Sequence, residues 1–90
     1  MYKNTDLSLK HRLMNACETL ATSDGPMIAR LKSTEPGLLP LLLDNGITHY
    51  RAELDGIYEG LSHAESLGAE ELRGIAAMIV ALAFQVCAET

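Results

Sequence analysis

RAELDGIYEGLSHAESLG, residues 51–68, is the stretch whose reading decides the fold. Its apolar residues recur at helical spacing, yet Gly56 and Gly60 fall inside the helix. Each interior glycine costs roughly 0.5–1 kcal/mol relative to alanine. With Ala52 and Ala64 the two glycines make the row Ala52-Gly56-Gly60-Ala64, spaced i, i+4, i+8, i+12. At 100° per residue this row lies about 120° from the middle of the apolar stripe. One helix thus carries an apolar face and a second, nearly side-chain-free face. A row of that kind lets another helix come close. The competing reading is that the glycines are tolerated near a frayed or kinked point.

Working outward, the apolar stripe extends through Ile47, Tyr50, Leu54, Ile57, Tyr58 and Leu61, which predicts a helix from Ile47 to Leu67 closed by Gly68. The tight LGA link then predicts a last helix from Ala69 to about Ala88, with Glu70 and Glu71 in its favourable first turn. The two together read as an antiparallel hairpin. The last helix has a main stripe of Leu72, Ile75, Ile79, Leu82 and Val86, but Met78, Val80 and Phe84 point elsewhere. A helix apolar nearly all round is buried at the centre of the fold or against another chain. It also offers a weaker small-residue row in Gly74, Ala77, Ala81 and Ala88, so the two rows could meet within one chain or between two.

Upstream, Leu9, Leu13, Ala16, Cys17 and Leu20 mark a first helix from about Asp6 to Ser23, capped by Thr5 or Asp6 and ended by SDGP. Pro26 opens a short second helix, PMIARLKS. In STEPGLLPLLLDNG the prolines argue for an interruption, with a helical turn from Pro40 to Asp44 stopped by Asn45-Gly46. The leucines there form a core plug or, less readily, an exposed docking knob. The expected fold is therefore all-α, a small bundle of four to five helices forming one domain over residues 1–90.

Composition agrees. Ninety residues support one modest core, and the chain is 48% hydrophobic but only 4% aromatic, which suits helices built on Leu, Ile, Ala and Met. The net charge of −5 is uneven. Residues 1–34 carry five basic against three acidic side chains, a balance of +2; residues 35–90 carry two against nine, a balance of −7. An acidic surface disfavours direct binding to nucleic acid or an anionic membrane and suits a basic protein partner, or simply solubility. The longest apolar run, IAAMIVALAF at 75–84, is too short to cross a bilayer. No secretory leader pattern opens the chain, and Cys17 and Cys87 form no CxxC pair and read as reduced core thiols. A cytoplasmic protein is expected.

Chemistry-bearing patterns are sparse. Glu59 and His63, with Asp55 a turn earlier, and His49 with Glu53 have metal-ligand spacing on a helix, but no further His or Cys cluster completes a site. A solvated polar face is the favoured reading of both. His11 could approach Cys17 only through the fold, and no nucleophile elbow, phosphate loop or dinucleotide fingerprint is present. LPLLLDNGITHYRAELDGI superficially resembles a helix-turn-helix, but its second helix offers one Arg51 against Glu53 and Asp55. The reading that follows is a non-enzymatic protein-binding module with no cofactor and no metal, a small regulator or inhibitor that masks a partner. Antagonists of DNA-binding regulators, phage-encoded inhibitors and secretion chaperones share this physical profile. A homodimer or heteromer is expected, with Ala52, Gly56, Gly60, Ala64, Met78, Val80 and Phe84 at the contact and Glu53, Asp55 and Glu59 as an acidic steering face. The alternatives are a helix-turn-helix DNA-binding regulator and a small metal- or thiol-dependent enzyme.

Overall fold

A computed structural model describes the backbone of residues 2–44 and 48–89 and, from Leu9 onward, their side chains. The described residues are helical throughout, with no strand: α1 (Tyr2–Thr22), α2 (Met27–Leu42), α3 (Arg51–Ser62), a single 3-10 turn (Ala64–Ser66) and α4 (Ala69–Glu89). Leu9, Leu13, Ala16 and Leu20 of α1 bury into one core with Leu31, Leu38, Leu41 and Leu42 of α2, Leu54, Ile57 and Leu61 of α3, and Leu72, Ile75, Ile79, Leu82 and Val86 of α4. That core is aliphatic, as the composition requires.

Three element boundaries depart from expectation. The first helix begins at Tyr2 rather than near Asp6, since nothing in YKNT breaks a helix. It ends where Gly25 takes φ +103°, a conformation that side chains with a Cβ rarely adopt, and Arg30 Nε donates to the Gly25 carbonyl at 3.1 Å.

The second departure is larger. α2 does not stop at Ser33 with a separate turn after Pro40; it runs through both Pro36 and Pro40. An interior proline costs about 3 kcal/mol by removing a hydrogen bond and crowding the preceding turn. Against that stands burial. Leu31, Thr34, Leu38, Leu41 and Leu42 fall at i, i+3, i+7, i+10 and i+11, and an uninterrupted helix puts all five on the inward face. Leu38, Leu41 and Leu42 alone contribute roughly 1.5–3 kcal/mol each. Pro36, Gly37 and Pro40 are exposed, so the disrupted turns face water. Arg12 Nη1 also donates to the Gly37 carbonyl at 2.9 Å, tying α1 to this segment. Most of the leucine cluster is thus core, Leu39 half-buried and only Leu43 exposed.

The third concerns α3, which spans Arg51–Ser62 instead of Ile47 to Leu67. Tyr50 precedes it in the left-handed region at φ 65°, so the helix cannot continue upstream. His63 leaves helical geometry at the other end, and the 3-10 turn and the extended Leu67 carry the chain into α4. Ile47, and the expected Asn45-Gly46 stop, lie outside the described residues.

The joint between α2 and α3 rests on Arg51. Its Nη2 donates to the Leu42 carbonyl at 2.8 Å, its Nη1 to the Asp44 carbonyl at 3.1 Å and its Nε to Asp55 at 3.0 Å. A guanidinium at the end of α2 bonds carbonyls there and complements the negative end of the helix dipole. Tyr50 Oη donates to Glu89 at the far end of α4, and His49 lies edge-on to the Tyr50 ring at 4.2 Å between centroids.

Candidate interaction surface

The small-residue row on α3 is divided. Gly60 faces α4 so closely that a Cβ there would sit 2.8 Å from Ile75 Cγ1 and 2.9 Å from Cδ1. Ile75 is buried, with little room to retreat. Ala64, one turn on, is also buried. Toward the start of α3 the row opens: a Cβ on Gly56 would make ordinary contact, 3.9 Å from Met78 Sδ, and Ala52 is exposed. The helix that approaches Gly60 is α4, but through Ile75. The small row of α4 is turned away, since Gly74, Ala77, Ala81 and Ala88 are exposed and a Cβ on Gly74 would meet nothing within 4 Å.

That outer side of α4 is unusual for its chemistry. Between Gly74 and Ala88 its exposed residues are Gly74, Ala77, Met78, Ala81, Phe84, Gln85 and Ala88, with no charge among them. Phe84 is 73% exposed and Met78 41%, while Val80 is half-buried. Beside Phe84 an apolar groove of about 240 Å³ opens between α1 and α4, lined by Met14, Cys17, Val80, Ala83, Phe84 and Cys87. Charge lies at the borders: Glu70, Glu71 and Arg73 at one end of α4 and Glu89 at the other, with Glu53, Asp55 and Glu59 exposed on α3.

By length and composition α4 is also the one described helix apolar enough to cross a membrane, with a mean hydropathy of 1.6 over its most apolar window. The ten-residue run at 75–84 understates the whole helix. A third of that window is buried inside the bundle, and a core helix of a soluble protein has the same composition.

The patterns with metal-ligand spacing are drawn into other contacts. His63 Nδ1 donates to the backbone carbonyl of Glu59 at 2.9 Å, in the tautomer that this geometry requires. His49 Nε2 lies 3.7 Å from Glu89, not beside Glu53. Asp55 is the partner of Arg51. Among the described residues no group of three His, Cys, Asp or Glu side chains converges on a point where a metal ion could sit. Arg51, the basic residue of the helix-turn-helix resemblance, is committed to carbonyls and a carboxylate within the chain.

A second, more polar depression of about 510 Å³ lies between α2 and the 3-10 turn, lined by Lys32, Glu35, Leu61, Ser62, His63, Glu65 and Ser66. Lys32 bonds Glu65 across its edge and holds that carboxyl below the usual carboxylate range, by the hydrogen bond first and the charge second. Glu89 is lowered in the same way, chiefly by the Tyr50 hydroxyl.

Cys17 and Cys87 are half-buried and line the groove, Cys17 also packing against the core. Periodicity placed Cys17 on the core face, against which it packs; it could not show the groove that opens beside it. The exposure of Phe84 was legible as a residue off the main stripe of α4. No protein-family model, curated protein or solved structure matches this chain.

Proposed function

We propose that this chain is a non-enzymatic protein-binding module, a small regulator or inhibitor that masks its partner by docking it on the outer face of α4. The observation that carries the reading is Phe84, 73% exposed at the lip of an apolar groove on a face without charge. Exposed aromatic side chains beside a desolvated pocket are where interfaces concentrate their binding energy. The partner has an apolar contact ringed by Lys and Arg, because acidic residues border the strip and residues 35–90 carry −7.

The architecture behind this surface is read as an antiparallel hairpin of α3 and α4. Gly60 against Ile75, Gly56 near Met78 and Tyr50 bonded to Glu89 run in opposite directions along the two helices and support it. The hairpin seam uses up Gly60 and Ala64, leaving Met78, Val80 and Phe84, with Ala52 and Gly56 at its edge, for the partner. A cytoplasmic setting, without direct contact to nucleic acid or membrane, fits the acidic balance.

The test is capture of a host protein on the immobilised chain, followed by its affinity for purified wild type and Phe84→Glu. Placing a charge at the centre of an apolar contact should weaken binding at least about 30-fold, the equivalent of a hot-spot residue. Unchanged affinity rejects the surface. Light scattering that finds only a dimer of the chain, lost in Phe84→Glu, replaces the foreign partner with a second copy. Charge reversal to test steering belongs at Glu53 and Glu59, since Asp55 also holds Arg51.

A further inference from the structure

We propose that Cys17 and Cys87 form a peroxide-responsive thiol pair that closes to an intramolecular disulfide and pins α1 to α4 along the floor of the apolar groove. Three placements carry this. The two residues stand 70 positions apart in the chain, on different helices, yet both line one groove of about 240 Å³. Both are free thiols and half-buried, so a small oxidant such as hydrogen peroxide has access to them. The residue between the two helices at this point is Ala83, buried one turn before Cys87. A disulfide needs the two Cα atoms within roughly 4.4–6.8 Å, a span open to residues on facing turns of two packed helices.

The thiols also feel one another. Burial, and secondarily the charge of Cys87, push the Cys17 thiol above its ordinary value, and we assign Cys17 the resolving role. In the first step the Cys87 thiolate attacks one oxygen of hydrogen peroxide, the O–O bond breaks and hydroxide leaves, giving Cys87 sulfenic acid. Cys17 sulfur then attacks the Cys87 sulfur, the S–O bond breaks, and the departing hydroxide takes up the Cys17 proton as water. Two thiols and one peroxide become one disulfide and two waters, the thiols losing the two electrons that the peroxide gains. Cytosolic disulfides of this kind are transient and redox-sensing, which is consistent with a protein otherwise lacking a disulfide framework. The inference stands whether or not α4 docks a partner.

The experiment treats the dilute full-length chain with hydrogen peroxide, blocks remaining thiols with iodoacetamide and reads the intact mass and the peptide map. The expected product is a monomer lighter by two hydrogens, unalkylated, with Cys17 and Cys87 in one linked peptide pair. Its thermal midpoint should rise on the order of 10 °C, because the cross-link closes a long loop, and fall back with dithiothreitol. Cys17→Ser and Cys87→Ser should each abolish both changes. Two alkylated cysteines after peroxide, oxygen adducts in place of the cross-link, or disulfide-linked dimers overturn the proposal. If a serine variant fails to fold, the peptide map of the wild-type chain decides alone.

Discussion

α4 meets α3 and α1 in opposite ways. On the α3 side the backbone of Gly60 comes so near Ile75 that a single methyl group has no place. On the α1 side the helices leave a groove, and Phe84 stands at its lip in water. Both sides are built from small and apolar residues, so composition does not distinguish them. The difference lies in complementarity: a bulky Ile75 faces a glycine on one side, while Val80 and Ala83 face Met14 and Cys17 without filling the space on the other. A closed contact contributes to stability, and an open one of this size is a place for something else to bind.

The largest effect should come from forcing the closed side. Gly60→Leu is expected to destabilise the chain by about 1–3 kcal/mol in a urea melt, the range for overpacking, although leucine is the better helix former. Its counterpart on the outer, solvent face of α4, Gly74→Ala, adds a Cβ that meets nothing within 4 Å and should stabilise by up to about 1 kcal/mol. Two changes of the same kind would then act with opposite sign, and equal signs would break the comparison.

Arg51→Ala tests what sets α2 against α3. The side chain is less than a third exposed and donates to Leu42, Asp44 and Asp55, so its loss should destabilise by roughly 1–2 kcal/mol. A change below about 0.3 kcal/mol would mean that the joint holds without it.

The peripheral contacts should matter less and show a pH signature. Glu65 and Glu89 have folded-state carboxyls held low by Lys32 and Tyr50. A lowered folded value contributes stability above the ordinary carboxylate pKa that is lost as pH falls through the folded one. Thermal midpoints of Glu65→Gln and wild type should therefore differ slightly at neutral pH and converge below about pH 4. Both carboxylates are solvent-exposed, so the separation is small. A gap that widens toward acid would reverse the assignment. Smallest of all, Phe84→Glu should leave the unfolding free energy from a urea melt within about 0.5 kcal/mol, as expected for a side chain that packs against little of its own chain.

How much of this was legible beforehand follows the physics. The helical faces of α1, α3 and α4 are written in periodicity, and Gly60 announced a close approach on α3 because interior glycines carry a cost that something must offset; Gly56, with the same cost, meets only Met78 at ordinary distance. Which residue would approach was not legible: a small row on α4 suggested itself, but the contact is made by Ile75, and that row faces solvent. Pro36 and Pro40 misled for a definable reason. Local rules count their cost at once, whereas the gain from Leu38, Leu41 and Leu42 on one face exists only after the tertiary core has formed. The groove beside Phe84 depends on the offset between two helices distant in sequence, and no local pattern encodes that.

The most direct measurement is hydroxyl-radical footprinting of the chain, free and within the complex recovered from its host. Met14, Met78 and Phe84 should be modified freely in the isolated chain and protected in the complex, while Leu43, exposed elsewhere, reacts equally in both. Equal modification of Phe84 and Met78 in the two samples would contradict the assignment of the outer face of α4 as the surface through which this protein acts.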